Sequence, residues 1–144
     1  MLRKVWHTSS SDPVDPIERL QPETVFAIPG ISAATRVGNL LFVSGQVPLG
    51  PGGELVGVGD FRAQAEQVFE NLGEVLAAGG SGFDQVVKLT AFFVDIARDL
   101  PIYRDVRDEY IAAEHACASS AVQVSKLFHP SVWLEVEAVA LCKD

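Results

Sequence analysis

The stretch Val86 to Asp95 constrains this chain more than any other, because it reads as a strand with two apolar faces. Alternation puts Val87, Leu89, Ala91 and Phe93 on one side and Val86, Lys88, Thr90, Phe92 and Val94 on the other. Its β-branched and aromatic residues favour extended backbone. A strand apolar on both sides is expected to be covered on both. Only two segments carry the periodicity of a covering helix. Phe61, Ala65, Val68, Leu72 and Val75 step by four and three behind Asp60, whose carboxylate suits the free amides of a helix start. Gly79-Gly80 suits its end. Leu100 to Glu114 repeats the pattern through Ile102, Val106, Tyr110 and Ala113, with Pro101 in its first turn.

The other extended segments are Leu2–His7, Ser32–Arg36, Asn39–Ser44, Ser120–Phe128 and Val132–Cys142. Leu40 to Val43 has the composition of a strand buried on both faces. Proline and glycine mark Thr8–Pro16, Pro29-Gly30 and Pro48–Gly59 as loops. The order is then strand, strand, strand, helix, strand, helix, strand, strand. This predicts an α+β domain, one mixed sheet with two helices on one face. Two helices cannot shield the opposite face, which would carry Phe92, Val94, Trp133, Val139 and Leu141. Self-association is the expected remedy.

The chain's 144 residues suit one domain. A net charge of −8 disfavours broad binding to phosphate backbones, and no block of Lys and Arg offsets it. Cys117 and Cys142 are too few for a disulfide framework, and their spacing is not that of metal ligands. No apolar run reaches the ~18 residues that would span a bilayer, and Met1 to Asp15 carries no leader signal. The expectation is a soluble, cytoplasmic protein without membrane partners.

Four blocks carry a family resemblance. Val37-Gly38-Asn39-Leu40-Leu41-Phe42-Val43-Ser44-Gly45-Gln46-Val47-Pro48 is one, and Ala63-Gln64-Ala65 with Asn71-Leu72 is another. The third is Val87 to Asp95, and the fourth joins Ser120-Ala121-Val122-Gln123-Val124 to Leu134-Glu135-Val136-Glu137-Ala138. Together they resemble the Rid (YjgF-type) family, also called endoribonuclease L-PSP-like. The likeness runs from about Ala34 to the end, so residues 1–144 read as a single Rid-like domain with a variable segment at about 1–30. The resemblance implies a chorismate-mutase-like fold and a homotrimer with a barrel-like core and ligand clefts between subunits. It implies hydrolysis of reactive imines and enamines to keto acids and ammonia, with no metal and no cofactor.

The same resemblance implies the site. Glu135 falls on the family's water-positioning glutamate, and Ser44-Gly45 on its pocket edge. A carboxylate in a partly dry cleft can serve as a base, although Glu135 and Glu137 also fit a pair of solvated charges. Gly45 would let a ligand approach the backbone, or simply end a strand. Ser119 stands where the family has a carboxylate-clamping arginine, Ile31 where it has a tyrosine, and Ala121 where it has a cysteine. Serine cannot form arginine's bidentate, charge-assisted bond. Ser120 could hydrogen-bond a ligand, and Asp105 lies near a family pocket asparagine. Arg36 and Lys126 are candidate replacement cations; His115 and His129 are candidate titrating groups or plain surface residues. Three functions remain open: an imine hydrolase with an altered pocket, a ligand-binding trimer without catalysis, and an endoribonuclease or translation inhibitor.

Overall fold

The computed structural model describes residues 16–143. The expected strand Leu2–His7 lies outside them, as does the expected loop before Pro16. Six strands form one mixed sheet: β1 (Glu18–Leu20), β2 (Ala34–Val37), β3 (Leu40–Gln46), β4 (Val86–Phe93), β5 (Ala118–Gln123) and β6 (Leu134–Leu141), in the order β1-β2-β3-β6-β4-β5. Only the β4–β5 pair is parallel. Strands β5 and β6, adjacent in sequence, lie on opposite sides of β4. β1 had no signal in the sequence; three residues paired to β2 are too short to show alternation.

The helices are α1 (Phe61–Ala78) and α2 (Ile96–Tyr110). The Asp60 carboxylate accepts from Ala63 N at 3.1 Å, and Gly80 takes φ +72° just past the end, as the sequence suggested. The second helix starts four residues earlier than expected. Asp95 is its cap, accepting from Arg98 N at 3.2 Å, so Pro101 sits in the second turn and Ala113 falls beyond the end. Its fully buried residues are Asp99, Tyr103 and Val106; of the expected row Val106 is buried, while Ile102 and Tyr110 are partly buried against the core. Tyr103 and Tyr110 meet Phe69 of α1 at 5.8 and 5.3 Å between ring centroids, and this aromatic seam locks the two helices together.

Both helices cover one face of the sheet. That face carries Leu41, Val43, Leu89, Ala91, Phe93, Leu134, Val136, Ala138 and Ala140, all buried. Two expectations need correction. Leu40–Val43 is not buried on both faces, since Phe42 is 45% exposed. The alternation assumed for β4 also slips at its start, because a bulge between Val86 and Lys88 turns Val86 into the core and Val87 outward. The uncovered face therefore presents Phe42, Leu141 and, at the edge, Val122, all large apolar side chains in water, with Phe92 and Val139 partly exposed. Trp133 belongs to it less than expected: it precedes β6 and lies under the Arg98 guanidinium, 4.3 Å from the ring centroid.

Gln64 of α1 ties the start of β6 in place. Its Nε2 donates to Gly57 O (3.0 Å) and Ser131 O (2.8 Å), and its Oε1 accepts from Trp133 N (2.9 Å). The residue is 1% exposed, so no water replaces these bonds. Gln64→Ala should lower stability by about 1–3 kcal/mol in urea denaturation, since it removes the partner of three part-buried backbone groups. An unchanged midpoint would refute this role.

Candidate functional site

β6 points two carboxylates, Glu135 and Glu137, away from the helices. Opposite them β3 is bulged. Val43 pairs with Ala138 and Gln46 with Val136, so Ser44 and Gly45 together face the single residue Glu137. Bulges re-aim side chains next to functional sites, and this one opens a seat for Glu135. A Cβ on Gly45 would stand 2.7 Å from Glu135 Cδ. The close approach that the glycine permits is made by the protein's own carboxylate.

Glu135, Ser44 and Gly45 line a cavity of about 530 Å³, within the usual range of small-molecule sites. Its walls are mostly apolar. Phe26, Ile28, Ile31 and Ala33 come from the chain between β1 and β2, Val47 and Leu49 from the loop after β3, and Phe128 from the loop before β6. Glu137 completes the acidic side. Burial pushes the Glu135 carboxyl above the ordinary glutamate value of 4.5, and repulsion from Glu137 adds to the rise.

The polar groups of the wall are held by hydrogen bonds within the chain. Ser44 Oγ donates to Ser32 O at 2.6 Å, which leaves its lone pairs for the cavity. Asn71 of α1 spends both amide protons on Val47 O (3.0 Å) and Leu49 O (2.9 Å), while its oxygen accepts from Gln67. Gln46 and Gln21 donate to Ser44 O and Val25 O. Asn71 pins the cavity wall at Val47 and Leu49 to α1.

The other sequence candidates lie elsewhere in the chain. Ser119 and Ala121 stand level with Leu89 and Ala91 on the outermost strand β5, all of whose residues are exposed. Ser120 accepts from Lys88 Nζ at 2.6 Å on the uncovered face. Asp105 is exposed on α2. One chain thus brings Ile31, Ser44, Gly45 and Glu135 together, and leaves Ser119, Ser120, Ala121 and Asp105 apart from them. Neither Arg36, bonded to Gly38 O, nor Lys126 lines the cavity. His129 Nδ1 accepts from Ser131 N within its own loop, and His115 lies beside Glu114 at 3.7 Å on the surface.

Sequence reasoning missed Asn71, Phe26, Ile28 and Phe128 as wall residues. Asn71 had a signal: Gln64, Val68, Asn71 and Val75 step by four and three, which puts both amides on the buried stripe of α1. Phe26, Ile28 and Phe128 lie in irregular chain, where no periodicity reveals a facing direction.

Residues 23–142 match the family model described as Endoribonuclease L-PSP. The chain belongs to this family, the Rid or YjgF family of the sequence reading. A RutC family protein of Pyrococcus abyssi is 39% identical over 110 residues, which is 76% of this chain and 84% of that relative. A human protein named 2-iminobutanoate/2-iminopropanoate deaminase is 35% identical over 116 residues, 80% of this chain and 82% of its own. The crystal structure of RidA from an Antarctic Psychrobacter superposes with a TM-score of 0.79 at 32% identity, covering 86% of this chain and 98% of that one. The matched span holds every element from β2 onward and nearly every wall of the cavity. Within the described residues of this Rid protein no helix is long and apolar enough to cross a membrane.

Carboxyl-carbon NMR should put the Glu135 midpoint above 4.5. Glu137→Gln should bring it only part of the way back, because burial is the larger cause. The sign for stability follows. A carboxyl whose folded pKa is raised contributes fully below its unfolded value, and loses that contribution as pH rises through the folded one. Glu135→Gln should therefore raise the thermal midpoint at pH 7 and leave it nearly unchanged near pH 3; the reverse pattern would exclude a strained, desolvated carboxylate.

Proposed function

We propose that this Rid protein hydrolyses the C=N bond of a small imine or enamine-derived imine, with Glu135 as the base. The observation that carries this reading is a half-buried carboxylate with raised proton affinity, seated on a glycine in an apolar cavity. Such a group holds a proton more readily than an ordinary carboxylate, which suits it to act as a base. With the imine protonated, Glu135 removes a proton from water as the oxygen adds to the iminium carbon, and a neutral carbinolamine forms. The carboxylic acid gives that proton to the amine nitrogen; as the C–N bond breaks, the regenerated carboxylate takes the hydroxyl proton, the carbonyl product and ammonia form, and the proton leaves with ammonia as ammonium. The name of the human relative supports this class of reaction.

The site is completed between copies of the chain in this proposal. The uncovered face, with Phe42 and Leu141, and the wholly exposed β5 supply the surface for a homotrimer. β5 of one copy would then bring Ser119, Ser120 and Ala121 toward the cavity of the next. A second reading, a trimer that binds a small ligand without turning it over, is favoured by Ser119 at the position of the family's clamping arginine. The −8 charge, and a cavity wall that among the described residues carries acids and no Lys or Arg, speak against an endoribonuclease role.

Imine turnover followed by ammonia release separates these readings. Glu135→Gln should slow hydrolysis on the order of 10²-fold or more, with the fold intact by circular dichroism. Equal rates in the two proteins, or wild-type turnover no faster than buffer, would remove the hydrolase reading. Ser119→Arg should raise kcat/KM for a carboxylate-bearing imine, and no rise would count against β5 as the neighbour's contribution.

A further inference from the structure

The cavity's charge and hydrogen-bond sense identify the kind of molecule it accepts. We propose that this pocket selects an apolar amine or iminium, a ligand that donates hydrogen bonds and carries positive charge, and discriminates against carboxylate-bearing molecules. The inference rests on the Glu135-centred site described above and adds its substrate class.

Three observations converge. Among the described residues, Glu135 and Glu137 are the only ionisable side chains in the wall, and both are acids. An anion placed beside them would meet like charge across a poorly screened, apolar space. The Ser44 hydroxyl donates inward and both Asn71 amide protons are spent on backbone, so these groups turn acceptors, or nothing, toward the ligand. A ligand N–H⁺ between Ser44 Oγ and the Glu135 carboxylate satisfies both. Lastly, Phe26, Ile28, Ile31 and Phe128 form a wall that suits an alkyl or aryl body. Ser119, which lies outside this cavity in the single chain and reaches it only in the proposed trimer, would bring a hydroxyl and no cation.

For the reaction this means an imine whose carbon bears hydrocarbon in place of a carboxylate. Protonated, it is an iminium held against Glu135; after water adds, the products are an aldehyde or ketone and ammonia or an amine. The positive charge of the iminium also favours the ionised state of Glu135, which is the state that acts as base.

The test pairs binding with turnover on the wild-type assembly at pH 7.5. Hexylamine and hexanoate share a chain length and differ in charge. Calorimetry or ligand-observed NMR should give hexylamine about tenfold tighter binding or more, and Glu137→Gln should narrow the gap without unfolding the protein. Hexanoate binding equally or better overturns the proposal. In parallel, the imine of a simple alkyl aldehyde and an imine bearing a carboxylate are compared as substrates. Faster turnover of the carboxylate-free imine supports both the hydrolase and its substrate class. Faster turnover of the carboxylate-bearing imine keeps the hydrolase and overturns the substrate class. An amine preference with no turnover of either imine supports the selectivity and removes the hydrolase.

Discussion

Two helices on one side of a six-stranded sheet are the constraint from which the rest follows. α1 and α2 bury Leu41, Leu89, Phe93, Leu134 and Val136 beneath them, and nothing within the described chain does the same for Phe42 or Leu141. Hydrophobic burial stabilises the covered face at roughly 25 cal/mol per Å²; the other face keeps that potential unspent. The candidate site lies at the boundary of these two regimes. Glu135 is flanked in sequence by core residues of the covered face and points to the other side, where polar chemistry can be tolerated.

Precision at the site comes from the helix side of the sheet. Gln64 and Asn71, seven residues apart on α1, reach past the sheet's edge and fix the loops on either side of Glu135. Buried amides of this kind are costly to leave unpaired, so they specify one loop geometry more sharply than apolar contacts do. The β3 bulge then sets how deep Glu135 sits, because Gly45 alone gives it room. The strain of a desolvated carboxylate is thus held by hydrogen bonds and packing located elsewhere.

Much of this was legible in the sequence, and the reasons are particular. The apolar stripe from Phe61 to Val75 and the alternation from Leu134 to Leu141 are long, so the period shows the buried face without ambiguity. Glu135 and Ser44-Gly45 were found through the family resemblance carried by those same segments. α2 was misplaced because Asp95, its cap, was read as the last residue of β4, and the proline was taken as a first-turn residue. Val87 was put on the wrong face because a bulge shifts alternation by one residue and leaves no mark in composition. The cavity wall from Phe26 to Ile31 escaped notice for a related cause: its direction is set by tertiary contact, not by local period.

The account stands on the open sheet face being an assembly surface, with the Glu135 cavity at its margin. Sedimentation equilibrium at micromolar concentration tests this most directly. The predicted species has three times the 15.5 kDa chain mass. A monomer that persists as concentration rises, with Phe42 and Leu141 still in water, would contradict it.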